Sequence, residues 1–411
     1  MKKKLGKAFG FLWMAHGTSA IGSQISQIVI PLFAVQNLHF SAIELGLLLS
    51  LEGFPTVLFG LVSGVLVDRM PRRKLLIACD FARFLILLLV PVLYWLGLLH
   101  AAALYLIAFA VSSLTVFFDT AFWAYVPTVI DKDELSTGNS RLAMVQSVAE
   151  TVGPGFAGSI MSLIGAPGAI LLDAVSYLWS FVMICLVRHE PEKERIRPAD
   201  EHFFIALKNG LAFVLTNRLL VLIALGGVIW HIAYFALLPG LYLWLQRDIG
   251  ASAAEIGFVL SALGIGALVS APLTSALRRL IGSLPTLALT QLIAVASILA
   301  IPLAKSSAPA DLIVAGLALA VMGGSSTIAS IMQMTLRQEV TPESLLGRMT
   351  SAIRLIVWGS IPVGSLLGGA LFGTMAYAPA FYLVGAAGVG ATLLWGAALF
   401  WRPINLHYST D

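Results

Sequence analysis

The chain has little charge and almost no cysteine. Only 11% of its 411 residues are charged, whereas 59% are hydrophobic. Soluble domains carry roughly 25% charged residues, so this chain cannot cover a water-facing surface, which excludes a soluble globular enzyme. Its two cysteines, Cys79 and Cys185, are too few for a disulfide framework and lack the spacing of metal ligands. We therefore expect no metal and no cofactor, and two structural cysteines.

The motifs of several enzyme classes are also missing. The sequence has no Gly-xxxx-Gly-Lys-Ser/Thr phosphate loop, so it does not hydrolyse ATP through a domain of that kind. It has no His-Glu-x-x-His zinc motif, no Gly-x-Ser-x-Gly elbow and no suitably spaced pair of intramembrane aspartates. An intramembrane enzyme remains an alternative, and conversion of a lipid or peptide by the purified protein would support it.

Long apolar runs are what the sequence does have. A bilayer core about 30 Å thick needs about 20 apolar residues for each helical span, and the mean hydropathy of the chain is +0.92. Glycine, proline and charge mark the boundaries of the runs. The sequence predicts an all-α integral membrane protein with twelve transmembrane helices, spans 1 to 12, at residues 9–35, 42–66, 75–97, 101–126, 140–163, 167–187, 219–244, 254–277, 284–304, 309–335, 345–373 and 378–400.

The first run has a second interpretation, as a signal peptide, because lysines precede it. However, the run is about 27 residues long, which exceeds the apolar region of a signal peptide. It also contains His16, Gln24 and Gln27 and no clear small-residue cleavage site. We therefore expect an uncleaved first span.

The positions of lysine and arginine predict the orientation, because cytoplasmic loops are enriched in both. Of the 25 such residues, Arg83 and Arg354 fall within spans, and only Arg247 and Lys305 fall in one set of loops. The other 21 lie on the opposite side. Both termini are therefore predicted to be cytoplasmic in a multi-pass protein of the cell membrane, which we expect to work as a monomer. Topology explains the net positive charge, so no nucleic-acid partner is expected.

The chain contains an internal duplication. Residues 41–50 resemble residues 252–261 at an offset of 211, and residues 138–141 resemble 347–350 at an offset of 209. Two six-helix bundles, 1–187 and 219–411, joined by a cytoplasmic connector at 188–218, account for both offsets. Parallel repeats of this kind place a substrate site between the halves, and rocking of the halves gives alternating access.

The loop between spans 2 and 3 carries a charged motif. Glycine at 64 allows close helix approach, an acid ends span 2, and basic residues follow. We interpret the motif as a cytoplasmic latch, the alternative being an ordinary positive-inside loop. Arg83 lies three residues after Asp80, so the two can form a one-turn ion pair that supports the latch. The latch residues are Gly64, Asp68, Arg69, Arg72, Arg73, Asp80 and Arg83.

This loop resembles the signature Gly-x-x-x-Asp-Arg-x-Gly-Arg-Arg/Lys of the major facilitator superfamily, with Pro71 in place of the second glycine. In span 5, Gly153, Pro154 and Gly158 resemble the Gly-Pro-x-x-Gly-Gly element of proton-coupled antiporters, although small-residue packing also explains it. Other segments resemble the branch with macrolide-type drug exporters and the enterobactin exporter. The resemblance implies a twelve-helix transporter associated with export.

Acidic residues inside spans are candidates for proton coupling, because hydrocarbon disfavours a charged side chain by about 2.5–3.5 kcal/mol. Glu52 and Glu150 lie near the middle of spans 2 and 5, and Asp119 lies nearer one end of span 4. The alternative for each is a structural hydrogen bond between helices. Asp173 in span 6 is interpreted as structural.

Polar and aromatic residues on the remaining spans are candidates for a substrate cavity. His16 and His231 are predicted to be packed, hydrogen-bonded histidines rather than titrating ones. The aromatic residues offer surface for an amphipathic compound, and Arg354 is a candidate partner for a first-half acid or a gate. The set comprises Gln24, Gln27, His16, His231, Trp230, Tyr234, Arg354 and Trp358.

The sequence thus predicts a secondary transporter that exports small amphipathic compounds, with protons as the driving partner and the lipid bilayer as its environment. A transporter of the same fold that handles a defined metabolite, such as a siderophore, or a lysolipid is the alternative.

Overall fold

A computed structural model describes residues 6–60, 62–187 and 203–401, and all regular secondary structure in this part of the chain is helical. Eleven helical stretches in it are long and apolar enough to cross a membrane. One of them, Leu135–Leu186, has 52 residues and contains both span 5 and span 6. The prediction of an all-α protein with twelve membrane helices is therefore confirmed.

The helices of the first half follow the predicted spans closely. Several of these helices extend beyond the predicted spans by polar or basic residues. Their bounds are Lys7–Gln36 for span 1, Ala42–Phe59 and Val62–Arg69 for span 2, Arg72–Trp95 for span 3, Ala101–Val129 for span 4, a short turn at Lys132–Glu134, and Leu135–Leu186 for spans 5 and 6.

The helices of the second half are interrupted more often by short 3₁₀ or π-helical segments. Their bounds are Arg218–Leu243 and Trp244–Asp248 for span 7, Ala253–Ser270, Ala271–Leu273 and Thr274–Ile281 for span 8, Ser283–Ala296 and Ser297–Leu303 for span 9, Pro309–Glu339 for span 10, Glu343–Leu345, Leu346–Trp358 and Ser360–Thr374 for span 11, and Tyr377–Phe400 for span 12.

The junction of spans 5 and 6 is a single glycine. Gly165 has φ 75° and ψ 166°, outside the helical region, within an otherwise continuous run. Only glycine adopts such a backbone conformation without strain. Pro167 follows two residues later and fits the first turn of a helix, where no backbone donor is needed. The chain therefore leaves one span and enters the next without a loop.

The helix starts repeat at the offset that the sequence motif predicts. Helices begin at Lys7, Ala42 and Arg72, and again 211 residues later at Arg218, Ala253 and Ser283. Spans 2 and 8 also begin with the same hydrogen bonds. The backbone N–H and hydroxyl of Ser41 donate to Glu44 at 2.8 Å each, and those of Ser252 donate to Glu255 at 2.7 and 2.8 Å. The internal duplication is therefore structural as well as sequential.

The contacts within the chain divide it into two compact units. The first unit comprises residues Met1–His39 and Leu51–Asp200, and the second comprises Phe40–Ser50 and Glu201–Asp411. Residues of the helix Ala42–Phe59 therefore belong to both units. The predicted division at the connector would assign the whole helix to the first. The start of span 2 packs in the second unit, where a Cβ on Gly46 would lie 2.6 Å from the carbonyl oxygen of Ser365.

The predicted connector, 188–218, lies partly outside the described residues, as do the basic residues at 2–4 and 402. The remainder contains the helix Phe203–Thr216. It packs closely on span 11, because a Cβ on Gly210 would lie 2.5 Å from the carbonyl oxygen of Arg348. This part of the connector is therefore a packed helix, whereas the boundaries of the two bundles stay a prediction.

Candidate functional site

The loop between spans 2 and 3 fastens helix ends within the first unit. Arg72 pairs with Asp68 at 3.3 Å and donates to the carbonyl of Ala124 in span 4. Arg73 donates to the carbonyls of Ile184 and Cys185, at 3.3 and 2.7 Å, at the end of span 6. The last turn of a helix has unpaired carbonyls and a negative dipole end, so cations stabilise it. The motif therefore positions spans 4 and 6 as well as supplying positive charge.

Two residues of the motif behave differently from the others. A Cβ on Gly64 would meet no described atom of its unit within 4 Å, so the close helix approach predicted at Gly64 is absent from the first unit. Arg69 is exposed at the end of the helix Val62–Arg69.

The small residues of span 5 pack against span 1. Gly153, Pro154 and Gly158 are buried, and a Cβ on Gly153 would lie 2.6 Å from the Cβ of Gln24. The backbone keeps helical dihedral angles through Pro154 and leaves them only at Gly165. Tight packing therefore accounts for the motif, and the pronounced break in the helix lies twelve residues after Gly153 instead.

A buried ion pair occupies the interior of the first unit. Asp80 and Arg83, one turn apart on span 3, are fully buried and bonded to each other. The other carboxylate oxygen of Asp80 accepts a hydrogen bond from Ser180 of span 6 at 2.6 Å. The Cζ of Arg83 lies 4.1 and 4.3 Å from the ring centroids of Phe118 and Tyr177. The pair therefore ties spans 3, 4 and 6 together in the interior of the first unit, and its support of the latch stays a prediction.

A second buried carboxyl lies in the same interior. Asp173 of span 6 accepts hydrogen bonds from Ser26 of span 1 and from Ser176, the latter at 3.0 Å. One turn further on, the hydroxyl of Tyr177 bonds Ser23 of span 1 at 3.0 Å. Asp173 forms no ion pair with the described residues.

The sequence predictions did not group these residues, although the spacing of four polar residues in span 6 indicates that they belong together. Positions 173, 176, 177 and 180 share one face of a helix, and all four are polar in an otherwise apolar span. Such a row in a membrane helix must face protein rather than lipid.

The three predicted proton-coupling acids are not brought together. Glu52 is half-buried in span 2, beside span 4, where its backbone carbonyl accepts from Ser112. Glu150 is exposed and accepts from Gln146 at 2.8 Å. Asp119 is exposed on span 4. Each therefore remains a separate candidate.

His16 packs on aromatic rings in the first unit. Its imidazole stacks on Phe122 with centroids 4.7 Å apart and meets Trp123 edge-on at 6.0 Å. Its Nε2 atom is buried without a hydrogen-bond partner among the described residues. The packed histidine was predicted, but a hydrogen bond at Nε2 is missing.

The second unit contains an open recess among spans 7, 9 and 10, with a volume of about 80 Å³. Gln291 donates to the carbonyl of Gly226 at 2.9 Å and accepts from Gln333 at 3.5 Å. The Nδ1 of His231 bonds the carbonyl of Gly227 at 2.8 Å, which leaves Nε2 as an acceptor. No acidic or basic side chain other than this histidine lines the recess, whose walls are Gly227, Trp230, His231, Gln291, Ala294, Ser326, Ala329, Ser330 and Gln333.

The other cavity candidates lie near this recess or apart from it. Trp230, in its wall, stacks on Tyr234 with centroids 5.5 Å apart. Arg354 is exposed and its Cζ lies 4.3 Å from the ring of Trp358, on the same helix. In span 1, Gln24 packs on span 5 as described above, and Gln27 is exposed. The recess therefore brings together only two predicted candidates, Trp230 and His231, and adds two glutamines that sequence reasoning missed.

No group of three or more His, Cys, Asp or Glu side chains suited to a metal ion occurs in residues 6–60, 62–187 and 203–401. Both cysteines are free, Cys79 buried and Cys185 exposed.

Comparison with known proteins identifies relatives across most of the chain. Macrolide efflux protein A of Streptococcus pyogenes is 25% identical over 365 residues, which cover 87% of this chain and 88% of the relative. The enterobactin exporter EntS of Salmonella typhi is 28% identical over 385 residues, which cover 90% and 86%. The chain therefore resembles an efflux protein and an exporter along most of its length.

Solved structures share the fold at low sequence identity. The nucleoside transporter NupG superposes with a TM-score of 0.78 at 11% identity, over 97% of this chain and 100% of NupG. A bacterial homologue of the iron transporter ferroportin gives 0.73 at 16% identity, over 97% and 99%. The model of the Major Facilitator Superfamily matches residues 12–362. This chain therefore belongs to the Major Facilitator Superfamily of membrane transporters.

Proposed function

We propose that the chain exports small amphipathic organic compounds from the cytoplasm across the cell membrane, driven by protons that move inward, through alternating access of its two halves. Two of its relatives are named as an efflux protein and an exporter, for a macrolide and for enterobactin. Their matches extend over most of the chain. This supports export as the direction of transport.

The recess in the second unit is the observation that carries the proposal for the substrate. Ligand sites combine apolar or aromatic walls with a few convergent polar groups. Here the indole of Trp230 stands beside the amides of Gln291 and Gln333, and no Asp, Glu, Lys or Arg lines the walls. Drug-sized pockets measure about 300–1,000 Å³, so a recess of about 80 Å³ holds one uncharged polar group of a larger compound.

For proton coupling we retain Glu52, Glu150 and Asp119 as candidate carriers. Acidic residues within membrane helices are costly and mark proton or ion pathways. Of the three, Glu52 is the most enclosed in its unit, which favours it over the other two.

For the latch loop we propose a cytoplasmic position and a role in the transport cycle. Arg72 and Arg73 hold the ends of spans 4 and 6 through backbone carbonyls. Movement of the loop therefore transmits to those helices. The cytoplasmic termini and the monomeric state belong to the same proposal.

The test uses cells that lack their own exporters and carry either this chain or an empty vector. We expect resistance to at least one class of uncharged amphipathic compounds, lost in Gln333→Leu because the recess loses a polar group. Glu52→Gln should abolish efflux driven by a pH gradient at unchanged expression, whereas Asp133→Asn, an exposed acid outside the spans, should retain it. Unaltered sensitivity across the whole panel would contradict drug export.

A second candidate function is export of one defined metabolite, such as a siderophore. The likeness to enterobactin exporters over 90% of the chain favours it. Secretion of a siderophore by the same cells, with no resistance to any drug, would support this function over the first.

A further inference from the structure

Among the described residues, the interior of the first unit holds two buried carboxyls, Asp80 and Asp173, and one partner cation. Asp80 is neutralised by Arg83, to which it is bonded. Asp173 is equally buried, with no exposed surface, and no described lysine, arginine or histidine pairs with it. A charged group buried without a partner is strongly unfavourable. The network is therefore neutral when Asp173 carries a proton and has one excess negative charge when it does not.

The hydrogen bonds around Asp173 suit both forms of the carboxyl. Its partners are the hydroxyls of Ser26 and Ser176. A hydroxyl rotates and either donates to a carboxylate or accepts from a carboxylic acid. A fixed donor such as a backbone N–H would favour only the ionised form. Loss or gain of a proton therefore leaves the oxygen atoms of Asp173 satisfied without movement of the helices.

Span 1 leaves space for this carboxyl. A Cβ on Gly22 would lie 2.0 Å from the Oγ of Ser176 and 2.4 Å from the Oδ1 of Asp173. Any side chain at position 22 would thus displace both groups. Ser176 is half-buried whereas Asp173 is enclosed, so Ser176 is the more exposed of the two residues.

The geometry points to Asp173 as a proton-binding group of the first unit, loaded through the hydroxyls of Ser26 and Ser176. The step is the addition of one proton from water to the carboxylate, with no other bond made or broken. Participation of this group in driving transport rests on the proposed function, but proton binding itself does not.

Arg83 is the cation that we expect to respond when Asp173 gains or loses a proton. The ring of Tyr177 lies one helical turn from Asp173 and 4.3 Å from the Cζ of Arg83. The Nε of Arg83 is buried without a hydrogen-bond partner in the described part of the chain. Several polar, titratable and charged groups face this interior or act on Arg83. They are Ser23 and Ser26 from span 1, Cys79, Asp80 and Arg83 from span 3, Thr115 and Asp119 from span 4, and Ser176, Tyr177 and Ser180 from span 6.

Infrared difference spectroscopy tests proton binding directly. The full chain in liposomes of neutral lipid is exchanged between acidic and alkaline buffers, and the carbonyl stretch of protonated carboxyls is recorded. We expect a band that Asp173→Asn removes and that Ser26→Ala shifts in frequency, because Ser26 bonds the same carboxyl. Asp133→Asn, at an exposed acid outside the spans, should leave the band in place. A purely structural aspartate would give no such band.

Two results would overturn the inference. One is a wild-type spectrum whose carboxyl bands neither Asp173→Asn nor Ser26→Ala changes. The other is a spectrum that responds to sodium at constant pH instead of to protons. Since Ser26→Ala keeps the carboxyl, it also tests the inference if Asp173→Asn fails to fold. A chain that shows the band but exports no compound of the panel supports proton binding and removes the proposed function.

Discussion

The two units are built from repeated helices but differ in the side chains of their interiors. At the offset of 211 residues, at which the starts of spans 3 and 9 repeat, Asp80 corresponds to Gln291 and Arg83 to Ala294. In the first unit the guanidinium of Arg83 lies against the ring of Phe118, which belongs to span 4. In the second unit Gln291 and Ala294 line the recess instead.

The comparison shows that a duplicated bundle can differ in the charge of its interior. Alanine in place of arginine removes side-chain volume, and packed interiors collapse only partly around such a loss. Replacement of aspartate by glutamine removes the charge that the lost arginine had balanced. The first unit therefore has an ionic interior, whereas the recess that we propose as a ligand site in the second unit is lined by no Asp, Glu, Lys or Arg.

The largest effect is expected from a substitution that removes the buried ion pair of the first unit. Arg83→Ala leaves Asp80 buried without its cation, which costs about 3–5 kcal/mol of stability. The double variant Asp80→Gln with Arg83→Ala copies the second unit and should recover most of this loss, because no charge remains unpaired. Thermal unfolding and yield of the protein in detergent measure both. Equal losses in the single and double variants would show that the ion pair does not explain the difference between the units.

A change in the opposite direction should fill the recess. Ala329→Phe places an aromatic ring at a position that lines the recess. We expect drug sensitivity to return to that of cells with empty vector, at a stability cost of about 1–3 kcal/mol from overpacking. Gly396→Ala is the matched control, since a Cβ at that position meets no atom within 4 Å. Normal efflux by Ala329→Phe would exclude the recess from substrate binding.

The smallest effect concerns a feature that both repeats share. Glu44→Ala and Glu255→Ala each remove one side of a capping arrangement with nearly identical distances, and each should cost about 1 kcal/mol. Unfolding of the two variants in the same detergent should give equal shifts. A marked difference would mean that the two helix starts, although alike in geometry, are not alike in energy.

Particular residues show how far prediction from the sequence extends. Gly165 ends span 5 within the gap between the predicted spans, since glycine and proline punctuate apolar runs. Gly64 does not bring two helices together in its unit, because a small residue permits close approach without requiring it. Asp173 was interpreted as structural, and its lack of a cation emerges only when spans 1, 3 and 6 are assembled.

The sequence by itself determined the membrane helices, the duplication and the superfamily, because apolar run length, helix caps and the motif after span 2 are local properties of the chain. Only the tertiary structure decided which polar side chains meet. Asp80 is bonded to a cation, Asp173 forms no ion pair with the described residues, and Gln291 lines a cavity. Side-chain partners on different helices, such as Ser23 and Tyr177, are up to 154 residues apart, and packing rather than sequence distance selects them.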